Sequence, residues 1–319
     1  MPARIDRGSH RLDQQRVKPD SEEVALRARE IYGVEAYGPQ QIADRVCTVG
    51  IAKARLPLLT LGLLGVLAGA FIGLGALMYT LVTSDATLGF AASRLLGGLS
   101  FSLGLLLVVV AGAELFTGNN LLVMGWAAGQ ITARALLRNW AIVLAANLIG
   151  ACGLVLLVWL SGHASLAQGA IARNVVQIAE AKIHLSWVPA FFRGILCNAL
   201  VCLAVWMAMG GRSVIDKAVA IVFPVTAFVA AGFEHSVANM YFLPLASLLG
   251  APIGIGDMVY SQIPVIAGNV VGGGVLVALV YWTIYVRPGA WPPSVATVGS
   301  GAARDDEVTA RLQQRDESP

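Results

Sequence analysis

Three stretches of this 319-residue chain, 56–84, 139–172 and 258–286, carry no Asp, Glu, Lys or Arg. Each exceeds the roughly 20 residues a helix needs to cross the hydrocarbon core of a bilayer. Hydrophobic residues make up 57% of the chain and charged residues 13%, against about 45–50% and 25% in soluble domains. The charges crowd toward the ends, so the chain reads as an all-α, polytopic membrane protein.

Several classes drop out at this point. The first 50 residues are charged and contain no apolar core of a signal peptide. A net charge of +3 with scattered basic residues does not make the basic face that nucleic acid requires. Cys47, Cys152, Cys197 and Cys202 show no CxxC spacing and read as buried free thiols, so neither a disulfide framework nor a metal or cofactor is expected. An enzyme would need a catalytic constellation, and near mid-membrane depth the only ionisable residues are Glu114, Glu234 and His235.

Four segments read as ordinary spans: 57–83, 139–161, 190–209 and 263–286. Two others, 95–133 and 218–256, are 39 residues long with one central glutamate each. That is too long for one crossing and tight for two, since a span takes about 17–25 residues. The positive-inside rule arbitrates. If each long segment crosses once, Lys53, Arg55, Arg134, Arg138, Arg212, Lys217 and Arg287 share one side, while Arg94, Arg173, Lys182 and Arg193 share the other. Six spans follow, with both termini in the cytoplasm. The expected organisation is a cytoplasmic segment 1–52 with a short helix over 21–36, a transmembrane domain 53–287, and a disordered cytoplasmic tail 288–319.

The two long segments share a pattern. Gly112, Glu114 and Asn119 in "GAELFTGN" repeat as Gly232, Glu234 and Asn239 in "GFEHSVAN", 120 residues on. Each pattern falls in the second span of a three-span half, so the halves form an inverted repeat with spans 2 and 5 broken. Paired interruptions of this kind point to a transport site near the midplane. A helix broken in the membrane leaves up to four N–H and four C=O groups unpaired at each new end. Those ends must be buried in protein or line a wet cavity. Glu114 and Glu234 are therefore expected to brace the broken loops, and a helix N-terminus at the break suits an anion. Gly65, Gly69 and Gly73 on span 1, and Gly268 and Gly272 on span 6, recur every four residues and allow close helix packing.

The motifs "GAELFTGNN", "GRSVIDKA", "GFEHSVANMYFLP" and "NLIGACGLVLLVWLSG" resemble the formate/nitrite transporter family of aquaporin-like, homopentameric channels, over about residues 40–286. The resemblance implies a pore in each protomer for a small monovalent anion or its acid. His235 would be the central histidine and Thr117 the hydroxyl facing it from the opposite loop. Leu105, Phe116 and Val201 would form a cytoplasmic constriction; Phe101, Leu115 and Phe228 would form an external one. Lys182, placed by its sequence setting in an extramembrane loop, and Asn198 would complete the polar vestibule. Asn269 would brace the second broken loop, with Glu114, Glu234 and Asn239, whereas Asn119 and Asn120 receive no role. The implied function is a pH-dependent, proton-linked formate channel of the bacterial inner membrane, embedded in the lipid bilayer. A nitrite or hydrosulfide channel of the same family and a neutral-solute facilitator are the alternatives.

Overall fold

The computed structural model describes residues 36–288, and among these every regular element is helical. Both the helix expected over 21–36, but for its last residue, and the tail from 289 onward lie outside the described residues. Helix α1 (Pro39–Ala54) precedes the spans, with Pro39 at its first position, where the missing N–H costs nothing. Span 1 is α2 (Leu58–Thr83), 26 residues long.

Span 2 begins as α3 (Phe90–Leu107) and widens into a π-turn at Val108–Gly112. The helix then stops: Gly112 takes φ +81° and Ala113 is extended. The chain resumes as a 3-10 turn (Gly118–Leu121) and a short α4 (Leu122–Ala127). Span 3 is α5 (Ala133–Leu160), opened by Thr132, whose side chain accepts from the Ala135 N–H. Helix α6 (Leu166–Ile183) follows, where the sequence suggests a loop. Its reason is a stripe of Ile171, Val175 and Ala179, four residues apart and fully buried. Arg173, Glu180 and Lys182 between them mask that period. Span 4 is α7 (Trp187–Gly210).

Span 5 is divided, as expected, into α8 (Val214–Ala230) and α9 (Ser236–Leu248), 17 and 13 residues long. Its break opens at Gly232, φ +75°. A left-handed residue at each break is what glycine permits and a side chain resists. Span 6 runs through α10 (Ile255–Val270), a nine-residue π segment (Val271–Leu279) and α11 (Val280–Tyr285). Five of the spans are long and apolar enough to cross a membrane unaided; the divided fifth relies on its two pieces together.

The glycine stripes do what their spacing suggests. A Cβ on Gly69 would strike the backbone of Asn147, and one on Gly150 the backbone of Val66, so spans 1 and 3 touch through bare backbone. Gly268 and Gly272 approach Phe191 and Ile195 in the same way, joining spans 6 and 4.

Candidate functional site

Each broken loop is held by the same set of hydrogen bonds. In the first, the Glu114 N–H donates to the Leu64 carbonyl at 3.1 Å. Asn147 of span 3 donates through Nδ2 to the carbonyls of Gly65 (2.8 Å) and Glu114 (2.9 Å), while its Oδ1 accepts the Phe116 N–H at 2.9 Å. In the second, the Glu234 N–H donates to the Arg193 carbonyl at 3.3 Å. Asn269 of span 6 donates to the carbonyls of Gly194 (2.9 Å) and Glu234 (3.0 Å) and accepts the Ser236 N–H at 3.0 Å. Each buried asparagine thus satisfies two backbone groups that the break leaves orphaned, each worth roughly 1–3 kcal/mol if left unpaired, and ties the loop to a carbonyl of the unbroken span 1 or span 4.

The glutamates are anchored in parallel. Lys53 on α1 pairs with Glu114 Oε1 at 3.0 Å, and Lys182 on α6 pairs with Glu234 Oε2 at 2.9 Å. Asn119 Nδ2 donates to Glu114 Oε2 at 2.7 Å, and Asn239 Nδ2 to Glu234 Oε2 at 2.9 Å. The paired bonding therefore draws on α1 and α6, the helices before spans 1 and 4, as well as on the spans themselves. All four carboxylate and amide side chains are buried. A buried carboxylate needs a cation and donors to remain charged at this depth.

Between the loops, Thr117 and His235 meet. Thr117 Oγ1 lies 3.1 Å from His235 Nε2, and the two residues are 0% and 3% exposed. His235 is also the N-cap of α9: its Nδ1 accepts the Ala238 N–H at 3.1 Å. An accepting Nδ1 leaves the proton of the neutral ring on Nε2, directed at Thr117. The ring of Phe228 stacks on His235 (5.9 Å, 16° between planes), and Phe101 meets Phe228 edge-on at 6.0 Å.

Two cavities flank this contact. The first, about 550 Å³, is lined by Arg94, Lys182 and Arg193, with Glu234, Phe101, Phe228 and His235. The second, about 360 Å³, is lined by Arg45, Lys53 and Lys217, with Glu114, Leu105, Leu115 and Gly118. Tyr79 and Thr83 at the end of span 1 line the first, and Lys53 and Leu64 near its start line the second, so they open toward opposite membrane faces. Each carries three cations against one paired glutamate. Such a lining concentrates anions.

Several expectations need correction. Lys182 belongs to helix α6 and pairs with Glu234; it is no loop residue. Asn198 lines neither cavity. It is 0% exposed and donates to the Asn269 carbonyl at 2.6 Å, where the π segment of span 6 begins. Leu115 lines the cavity of Leu105, not that of Phe101 and Phe228, because the first loop faces that way. Phe116 packs edge-on against Trp140 at 6.2 Å, and Phe116 and Val201 are buried while lining neither cavity. Asn119 braces Glu114 and also donates to Asn139 Oδ1 at 2.9 Å, and Asn120 donates to the Phe116 carbonyl at 2.8 Å.

Sequence reasoning passed over Asn147 and Lys53, although both left a trace. "ANLIG" (146–150) and "GNVVG" (268–272) share a small residue, Asn and a Gly three positions later, and Lys53 and Lys182 lie 129 residues apart, as do Gly65 and Gly194.

A membrane-spanning helical bundle in which two broken helices meet through a polar contact between two cationic cavities is a transport protein for small anions by design. The chain belongs to the formate/nitrite transporter family, whose model matches residues 40–283. It is 42% identical to the formate channel FocA of Escherichia coli K12 over 269 residues, covering 78% of this chain and 94% of that protein. The uncharacterized transporter YrhG of Bacillus subtilis is 40% identical over 251 residues, covering 77% and 93%. Among solved structures, a pentameric formate channel with formate bound matches at TM-score 0.67 and 38% identity, covering 72% of this chain and 98% of that one.

Proposed function

We propose that this protein is a formate channel with one pore per protomer of a homopentamer, and that Thr117 and His235 are its filter. The observation that carries the reading is the Thr117–His235 contact, the polar pair between two cationic cavities. The family membership and the names of the relatives point to formate as the anion. Charge segregation favours cytoplasmic termini: Arg45, Lys53 and Lys217 line the cavity beside α1, which would be the cytoplasmic one, and an inverted 3+3 repeat accounts for the paired bonding of the two loops.

The geometry suggests how an anion would pass. Lys182, Arg94 and Arg193 draw it into the first cavity, and Lys53, Arg45 and Lys217 do the same on the other side. Leu105, Leu115, Phe101 and Phe228 then present apolar walls, where a bare anion pays a heavy desolvation cost. Formate crosses more easily as its neutral acid. His235 presents Nε2–H, with the Thr117 hydroxyl beside it, and these two groups hold the carboxylate while a proton arrives from the vestibule water. Donating the Nε2 proton outright would leave an imidazolate, and charging the ring at Nδ1 would strip the cap from Ala238. A hydrogen-bonding role for His235 is therefore favoured over that of a fixed positive charge.

The test is initial uptake of labelled formate and nitrite into liposomes at neutral and mildly acidic pH, with wild type, His235→Asn and Thr117→Val. Formate favoured over nitrite, faster at acid pH and slowed at least about tenfold in both variants, supports the proposal, since a lost transition-region hydrogen bond is worth about that much. Nitrite favoured would move the substrate to another branch. Uptake of neutral solutes alone would overturn the anion reading.

A further inference from the structure

We infer that Arg94 is a positioning residue: from α3 its guanidinium clamps the broken end of α8, and so fixes the aromatic stack that seats His235. This deepens the proposed channel reading and rests on it.

Helix α8 ends at Ala230, and the last carbonyls of any helix lack intrahelical partners. Arg94 supplies them. Its Nε donates to the Ala230 carbonyl at 3.0 Å and its Nη2 to the Val229 carbonyl at 3.0 Å. Its Nη1 donates to the Tyr79 hydroxyl at 2.8 Å. One side chain thus ties spans 1, 2 and 5 together where span 5 breaks. A cation is favoured at a helix C-terminus, and a planar fork bonds two adjacent carbonyls as an ammonium does not.

What the clamp holds matters. Val229 and Ala230 directly follow Phe228, whose ring stacks on His235. Phe101 meets Phe228 edge-on and lies two turns after Arg94 on the same helix, so α3 supplies both the clamp and the outer ring. On the far side Gly232 comes so close that a Cβ there would lie 2.8 Å from Arg94 Nη2.

The first break is built differently. Both breaks share a backbone closure, Ala113 N–H to the Val108 carbonyl (2.9 Å) and Phe233 N–H to the Phe228 carbonyl (3.0 Å). Among the described residues, no side chain donates to the carbonyls of 108–112. The break of span 5 therefore carries a side-chain clamp at its helix end that the break of span 2 does not.

Arg94 also contributes charge to the first cavity beside Lys182 and Arg193, so the test must separate the clamp from the charge. Arg94→Lys separates the two, because it keeps the charge and loses the fork; Arg94→Gln loses both. Two readouts are needed in wild type and both variants: the ratio of initial formate to acetate uptake in liposomes, and backbone hydrogen exchange over 230–238 compared with 113–117. The clamp requires the formate:acetate ratio to fall about tenfold in Arg94→Lys as well as in Arg94→Gln, as the loss of a charge-assisted hydrogen bond would give. It also requires exchange to rise over 230–238 and stay unchanged over 113–117. A wild-type ratio in Arg94→Lys, or unchanged exchange over 230–238 in both variants, overturns it. Exchange is read without any solute, so a wild type that moves neither anion defeats the channel reading while the clamp is still judged.

Discussion

Replacing Asn147 by Leu isolates the strongest claim made for the loops, that one asparagine per half carries the break. Asn and Leu share one branched heavy-atom skeleton and Leu is the bulkier, so no cavity opens. What is lost is the partner of two carbonyls, Gly65 and Glu114, and of the Phe116 N–H, around a side chain that is 0% exposed. The Gly65 carbonyl sits inside unbroken span 1, so two groups are orphaned; at about 1–3 kcal/mol each the sum is about 2–6 kcal/mol, and relaxation of the loop puts the expected cost at about 3 kcal/mol. For a chain of this size about 2–4 °C of Tm accompanies each kcal/mol, so Asn147→Leu should melt about 10 °C below wild type. The assay is a thermal scan of the detergent-purified protein followed by tryptophan fluorescence. Asn174→Leu is the control: Asn174 also bonds Thr80 and Thr83, but it is only half-buried and water can replace it, so a loss of about 1 kcal/mol is expected. If Asn147→Leu and Asn174→Leu melt together, the keystone role is wrong. Asn269→Leu should match Asn147→Leu, since its three bonds are the same.

Two further outcomes follow from the charges. Lys182→Met strands the Glu234 carboxylate, whose side chain is 7% exposed, and should cost about 3–5 kcal/mol. Glu234→Gln should cost less, because the freed ammonium lines a cavity of about 550 Å³ and can hydrate. The double variant should recover most of the loss, and strictly additive melting temperatures would refute the pairing. On α1, burial and then the Asp44 carboxylate push the Cys47 thiol up to about 11. The neutral thiol is the favoured form, so at pH 8 its thiolate fraction is about 100-fold below that of a free cysteine and rises only as pH climbs toward 11. Labelling of Cys47 by a maleimide should be slow at pH 8 in the folded protein and fast once it is unfolded; equal rates would contradict the burial of α1.

How much was legible differs from residue to residue. Both breaks, the left-handed glycines and the paired glutamates follow from local signals: an uncharged run of excess length, and Gly, Glu and Asn in a repeated spacing. His235 stands out because it alone among the histidines lies at membrane depth. Helix α6 was hidden because its apolar period of four is interleaved with charged residues. Asn198 and Phe116 were assigned to the pathway by resemblance, yet their neighbours, Asn269 and Trp140, are distant in the chain. No local pattern reports which way such a side chain turns.

Membrane residence, the positions of the crossings and the two interruptions were determined by the sequence alone, since hydropathy, span length and glycine conformation act over a few turns of one helix. The tertiary structure alone decided the partners: Asn147 with Gly65 and Phe116, Lys53 with Glu114, Arg94 with Val229 and Ala230, and Thr117 with His235. These contacts join residues 31 to 136 positions apart, and a buried donor finds its acceptor only when packing has excluded water and left no other choice.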